Sequence, residues 1–252
     1  MNNEGPDSVV RQRHEQMLKL VAKGFYNELI NYGVNRAEIL TVTNHLLDNM
    51  LQQTNATPKS ADYYNRLFRL TDIRDDWAAH QRLAIHEVHL APLTPPLLPL
   101  LAGWLAVPPV RDSFVAPFPA TVTELAEYFQ HPTRDYLGIY FQGEPVGIIG
   151  AENLDPTAGK CEMRKLVGTA SLRGKGIGKQ ATLLFLYYVF EKRQLTKIYL
   201  HSTDTNIRNL NLNSKFGFEL EGLFFEDIVT AGQRRDVVRM GLRAAVWRKL
   251  FA

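Results

Sequence analysis

Cysteine is nearly absent. The 252 residues hold one, Cys161, so no disulfide can close within the chain, and a reducing compartment suits it. Long hydrophobic runs are also missing, and no apolar stretch approaches the roughly 18–20 residues a membrane span requires. The opening stretch, MNNEGPDSVVRQRHEQ, is polar and lacks the apolar centre of a secretory signal. Charge of one sign is scarce. Lys and Arg number 29 against 26 Asp and Glu, and the net +3 is too mild to argue for nucleic acid or a membrane surface. His14, His80 and His131 show no ligand spacing, so no metal is expected. No repeat or low-complexity run occurs. These absences lead to the expectation of a cytoplasmic protein with no nucleic-acid or membrane partner.

Hydrophobic residues make up 45% of the chain, enough to bury a core. Residues 8–56 read as helix. Val10, Met17, Leu18, Val21, Phe25, Leu29 and Ile30 recur at helical spacing. Tyr32-Gly33-Val34 breaks the pattern, and Asn35 with Glu38 reads as a capping box for a second stripe of Ile39, Val42, Leu46, Leu47, Met50 and Leu51. Arg11, Arg13, Lys19 and Lys23 read as a solvated face. Residues 1–82 are thus expected to form an N-terminal helical segment, an αα-hairpin plus a connector with a short helix near Ala61–Leu70. The hairpin cannot bury both stripes alone, which points to packing on the rest of the chain, a protein partner or a second copy.

Residues 83–252 have another texture. IHEVHL, from Ile85 to Leu90, reads as a strand, with His86, Val88 and Leu90 on one face and His89 on the other; both histidines are expected to be structural. A proline-punctuated helix follows near Leu97–Ala106, and Thr121-Val122-Thr123-Glu124 caps another that ends near Gln130. Tyr136–Phe141, Val146–Ala151, Lys160–Gly168, Lys197–His201, Phe216–Leu220 and Asp236–Leu242 read as strands. Helices are expected at Gly176–Lys192 and Asn206–Lys215. Hairpins feeding a strand–helix–strand unit imply an α/β (α+β) fold, a mixed central sheet of six to seven strands flanked by helices.

The informative segment is LRGKGIGKQA, residues 172–181. A basic, glycine-rich loop joins a strand to a helix, the arrangement in which backbone N–H groups and the helix dipole hold a diphosphate. Neither the dinucleotide pattern G-x-G-x-x-G nor the Walker pattern is met, because Gly178 is followed by Lys179-Gln180-Ala181.

Arg173-x-x-Gly176-x-Gly178 resembles the acyl-CoA loop of the GNAT superfamily of N-acetyltransferases. The likeness runs from roughly residue 84 to 245. EMRKLVGTASLRGKGIGKQATLLFLYYVFE resembles that family's central strand, loop and helix. HSTDTNIRNLNLNSKFGFELEG resembles its next strand and helix, GQRRDVVRMGL its last strand, and IHEVHLAPLTPPLLPLLAGWL its opening strand and helix. The branch it is nearest to acts on ribosomal-protein N-termini, polyamines and some antibiotics.

The resemblance implies a GNAT acyl-CoA-binding domain at 83–252, with acetyl-CoA as co-substrate and an amine as acceptor. It implies that the loop amides of Arg173, Gly174, Lys175, Gly176, Ile177, Gly178 and Lys179 hold the diphosphate. Leu166, Val167 and Gly168 would serve the pantetheine arm across a slot opening toward Lys197–His201, with a backbone N–H near Val167 polarising the thioester. Asn206 would cap its helix or touch the pantetheine, and Asn209 would line the same side. Glu162 is the candidate base acting through water, or else a strand carboxylate paired with Arg164 or Lys165; Glu152 comes second. Asn213 stands where the family often places a tyrosine that protonates the thiolate, which leaves Ser214 or solvent to supply a proton. Trp104, Phe114 and Phe118 either shape the amine site or pack in the core. Cys161 reads as a core thiol.

Three functions follow as expectations. The first is an acetyl-CoA-dependent N-acetyltransferase acting on a primary amine (a peptide N-terminus, a polyamine or a small amine) by direct attack on the thioester. The second is a weak or inactive acyl-CoA-binding regulator whose N-terminal helices bind a partner. The third is a longer-chain N-acyltransferase.

Overall fold

The computed structural model describes residues 6–31, 33–35, 37–43, 63–172, 174–203, 206–230 and 232–251. Helix α1 spans Pro6–Asn31 and ends in a turn at Gly33. The expected capping box follows: Asn35 Oδ1 accepts from the Glu38 amide at 3.1 Å, and Glu38 Oε2 accepts from the Asn35 amide at 2.9 Å. Helix α2 is described over 37–43. Leu46, Leu47, Met50 and Leu51 lie outside the described residues. In α1 the residue that enters the core is Leu20, whereas Met17, Leu18, Val21, Phe25 and Ile30 are exposed. A 2.6 Å ion pair from Lys23 to the buried Asp236 ties α1 to the rest of the molecule.

The expected helix near Ala61–Leu70 is instead two single turns, Tyr64–Arg66 and Leu70–Asp72, the second closed by Asp72 accepting from the Arg69 amide. Aromatic anchoring fixes this segment. Tyr64 and Phe68 pack on Phe216, and the Tyr64 amide donates to the Lys215 carbonyl.

Nine strands form one sheet among the described residues, two or three more than the six to seven expected from the sequence. They are β1 (Arg74–Asp76), β2 (Arg82–Ile85), β3 (Val88–Pro92), β4 (Asp135–Phe141), β5 (Glu144–Asp155), β6 (Lys160–Val167), β7 (Lys197–Thr203), β8 (Glu219–Thr230) and β9 (Gln233–Arg243). Their order is β1-β2-β3-β4-β5-β6-β7-β9-β8. The stretch read as one strand, IHEVHL, is a hairpin. His86 takes a left-handed conformation (φ 48°), the chain turns at His86-Glu87, and Ile85 pairs with Val88. The remaining extra strand, β1, is only three exposed residues long.

Helices α3 (Trp77–His80), α4 (Leu98–Leu105), α5 (Pro108–Arg111), α6 (Val122–Phe129), α7 (Ile177–Tyr187), α8 (Ile207–Ser214) and α9 (Ala244–Phe251) complete the chain. Thr121 and Glu124 cap α6 reciprocally, as the sequence indicates. Helix α7 passes into a π-turn at Tyr188–Lys192. One apolar core joins the sheet to α7 and α9 and includes Phe185, Phe216 and Trp247; Leu210 and Leu212 of α8 pack against it. A second core on the opposite face holds Leu98, Leu101, Phe118, Leu125 and Leu166. Each fully buried Leu or Phe contributes roughly 1.5–3 kcal/mol.

Candidate active site

Strands β6 and β7 form the one parallel pair of the sheet, and it is short: Lys160↔Lys197, Cys161↔Ile198, Glu162↔Tyr199. Beyond Glu162 and Tyr199 the strands part. Strand β7 stays bound to β9 as far as Thr203, and β6 stays bound to β5 as far as Val167. Between them opens a cleft of about 130 Å³ lined by Phe114, Glu162, Arg164, Lys165, His201 and Asn213, among others. The Gly168 amide donates to the Val146 carbonyl, and Leu166 turns its carbonyl on Gly147. Strand alternation therefore turns the backbone groups of Lys165 and Val167 toward the cleft.

Above the cleft the chain forms a one-turn helix at Ala170–Leu172 and enters α7. Gly176 is the residue that caps α7, at φ +85°, a left-handed conformation that glycine adopts without strain. The amides of Gly176, Ile177 and Gly178 make no hydrogen bond among the described residues, while those of Lys175, Lys179 and Gln180 bond to Leu172 and Gly176. Three unbonded N–H groups at the positive end of a helix form a cradle for an anion. Lys175 and Gly174 are exposed beside it, and Lys179 stands 5.3 Å above the Tyr64 ring. Arg173 lies outside the described residues.

Alternation sorts the cleft residues onto two faces. Glu162 and His201 face the α4–α6 side. His201 Nδ1 lies 3.0 Å from Glu162 Oε1, and Asn153 Nδ2 donates to Glu162 Oε2 at 3.0 Å. Neither Arg164 nor Lys165 pairs with Glu162. Arg164 reaches the Tyr128 hydroxyl, the Ala116 carbonyl and Glu152, and its guanidinium lies 3.9 Å over the Phe118 ring. Glu152 is buried and accepts from Tyr128, from Tyr136 at 2.5 Å and from Arg134 at 3.0 Å. That carboxylate is committed to structure. Phe114 lines the cleft, Phe118 is buried beneath Arg164, and Trp104 packs on Gly168, outside the cleft.

The opposite face is formed by Lys165, Ser202 and α8. Asn206 caps α8, accepting from the Asn209 amide at 3.3 Å, and also lines the cleft. Asn209 Nδ2 points to Ser202 Oγ at 3.4 Å, and Asn213 Nδ2 donates to Asn209 Oδ1 at 3.1 Å. Asn213 is fully buried, and its Oδ1 has no hydrogen-bond partner among the described residues. Ser214, weighed as a proton source, is exposed and bonds to the Asn211 carbonyl. Cys161 is a buried thiol that burial pushes up to about 12, as expected of a core residue.

Sequence reasoning missed His201 and Lys165. In KIYLHST nothing marks the histidine, and only the register Glu162↔Tyr199 brings it beside the glutamate. Lys165 reads as an ordinary strand cation until its face is known.

Residues 107–218 match the acetyltransferase (GNAT) family. The spermidine N(1)-acetyltransferase of Escherichia coli (strain K12) is 26% identical over 135 residues, 52% of this chain and 72% of that protein. Among solved structures, spermidine N-acetyltransferase from Vibrio cholerae in complex with CoA and spermine superposes with a TM-score of 0.60 at 21% identity, over 64% of this chain and 98% of that one. A dodecameric structure of the Vibrio cholerae enzyme superposes at 0.56 and 19% identity, over 63% and 95%. At these identities the structural likeness speaks for the fold. No described helix is long and apolar enough to cross a membrane, and no described group of His, Cys, Asp and Glu has metal-binding geometry.

Proposed function

We propose, from the match of residues 107–218 to the acetyltransferase (GNAT) family, that the protein moves the acetyl group of acetyl-CoA to a primary amine, with a polyamine as the first acceptor to test. The observation that carries this reading is the parting of β6 and β7 beyond Glu162 and Tyr199, directly below three unbonded amides at the start of α7. The cradle takes the diphosphate. The pantetheine arm descends on the α7–α8 side, where the Asn213 acceptor lacks a partner. The thioester reaches the cleft, and the amine approaches from the Glu162–His201 side.

An alkylammonium with a pKa of about 10 must lose a proton before it can attack. Glu162 holds His201 through Nδ1, which leaves Nε2 as the acceptor facing that proton. The nitrogen attacks the carbonyl carbon, a backbone N–H of β6 polarises the oxygen, the C–S bond breaks and CoA leaves as the thiolate. A peptide N-terminus is the other acceptor compatible with this cleft. The reading divides the chain into an added helical segment, 1–82, whose exposed α1 residues offer a surface for a partner or a second copy, and an acyltransferase unit, 83–252. It also places the protein in the cytoplasm.

The second reading, an acyl-CoA binder with little turnover, draws on Asn213, an amide that cannot donate a proton as an acid would. Thiol release from acetyl-CoA separates the two. With spermidine, N-terminal peptides and small amines supplied in turn, amine-dependent release is expected, and His201→Ala and Glu162→Gln each lower kcat by about 10²-fold or more at unchanged acetyl-CoA affinity. Tight binding without turnover on any amine supports the binder instead.

A further inference from the structure

Aminolysis of a thioester leaves a thiolate in the cleft, and something must protonate it. Few groups on the cofactor face are equipped to do so. Asn206, Asn209 and Asn213 are amides, and Ser202 is a neutral alcohol beside Asn209. Arg164 never gives up its proton and is held on the other face by Glu152, Tyr128 and Ala116. Glu162 and His201 serve the amine on that same other face. Ser214 is turned to its own helix. Among the described residues that line this face, one ionisable donor remains.

We propose that the Lys165 ammonium protonates the departing thiolate of coenzyme A. The proposal rests on the amine-acetyltransferase reading above. Lys165 lines the cleft together with Asn213, on the α7–α8 side of β6, and is half-buried. Its Nζ donates to Thr182 Oγ1 at 2.6 Å, and Thr182 in turn donates to the Gly178 carbonyl at 2.7 Å. The ammonium is thereby held one turn inside the helix whose N-terminal amides receive the diphosphate. A lysine has three donors, and one is used here. No carboxylate among the described residues pairs with it. On β5 its register partner is Ile149; on α7 it meets Thr182; on α8 the cleft presents three asparagines. On β6 itself its face is shared with Cys161 and Met163, and Lys179 at the start of α7 is drawn to the Tyr64 ring.

Burial without a counter-charge pushes the Lys165 ammonium down to about 8. A free thiol ionises near 8.5, so donor and acceptor are closely matched. The step balances. The alkylammonium first passes one proton through His201 to solvent; the neutral nitrogen then bonds to the acetyl carbon as the C–S bond breaks, and its second proton goes to His201. The sulfur takes a proton from Lys165, and solvent accepts the proton of His201 and restores that of Lys165.

The test is steady-state turnover of the full-length protein with acetyl-CoA and spermidine, or whichever amine it accepts, for the wild type, Lys165→Met and Lys165→Arg. Acetyl-CoA affinity is measured by calorimetry on the same samples. Arginine keeps the charge but cannot release a proton, so both variants are expected to lose about 10²-fold in kcat while binding acetyl-CoA normally. Wild-type kcat is expected to fall above about pH 8, and the variants lose that limb. If Lys165→Arg retains kcat, or if Lys165→Met weakens only acetyl-CoA binding, the residue is a charge anchor and the proposal is overturned. A wild-type kcat with no fall above about pH 8 overturns it without any variant. A wild type that binds acetyl-CoA but turns over no amine removes the underlying reading, and this proposal with it.

Discussion

Burial alone would push the Glu152 carboxyl up, yet the Tyr128 and Tyr136 hydroxyls, Arg164 and Arg134 together hold it below its ordinary value. A carboxyl depressed in the folded state contributes stability that is fully present above its unfolded pKa and is lost as pH falls through the folded value. Glu152→Gln is therefore expected to cost about 2–4 kcal/mol at pH 7, because it leaves two half-buried guanidinium partners and two tyrosine hydroxyls under-compensated. The gap from wild type should narrow in acid, where Glu152 itself is protonated. Urea denaturation of both proteins at neutral and acid pH checks this. At this scale the sequence was partly legible. Glu162 could be picked out as a candidate because it stands on the strand leading into the loop, where the family resemblance points to a base. His201 could not, since its partner is 39 positions away and only the sheet register joins them. Nor could Lys165, whose meaning depends on what does not surround it.

Among the elements, the loop and α7 were the easiest to read, because the determinants are local: glycines where a left-handed cap is needed and apolar residues at helical spacing behind them. The capping boxes at Asn35–Glu38 and Thr121–Glu124 were legible for the same reason. IHEVHL misled because its alternation is continuous through His86, and nothing local announces a non-glycine residue in a left-handed turn. The apolar stripe assigned to α1 also misled, for among the described side chains the helix buries Leu20 and leaves Met17, Leu18, Val21, Phe25 and Ile30 exposed. Strand β6 ends where Gly168 lies against Trp104, and a Cβ there would stand 2.0 Å from the indole. Gly168→Ala must displace Trp104 or the end of β6. We expect a loss of roughly 1–3 kcal/mol, read by urea denaturation, and a raised KM for acetyl-CoA, because this end of the strand borders the proposed cofactor slot.

Over the whole molecule the fold class was legible, a mixed sheet with helices on both faces, because hairpin and strand–helix–strand patterns survive small errors in each element. The full extent of the sheet was not. Strand β1 and the Tyr64–Phe68 anchor belong to a stretch whose periodicity is weak and whose place is set by long-range contacts with Phe216 and β2. In the proposed reaction this arrangement keeps two chemistries apart: the amine with Glu162 and His201 on one face of the parted strands, the cofactor with Lys165 and α8 on the other. That separation depends on acetyl-CoA seating its diphosphate at the start of α7. At Gly178 an added Cβ would meet only Val167, at an ordinary 3.9 Å, so a side chain fits there without disturbing the backbone. Calorimetric titration of the wild type and of Gly178→Glu with acetyl-CoA is thus the most direct test. The wild type is expected to bind, and the variant, still folded, to bind at least about tenfold more weakly because a carboxylate repels the diphosphate. Equal affinity in the two proteins, or no binding by the wild type, would contradict the account.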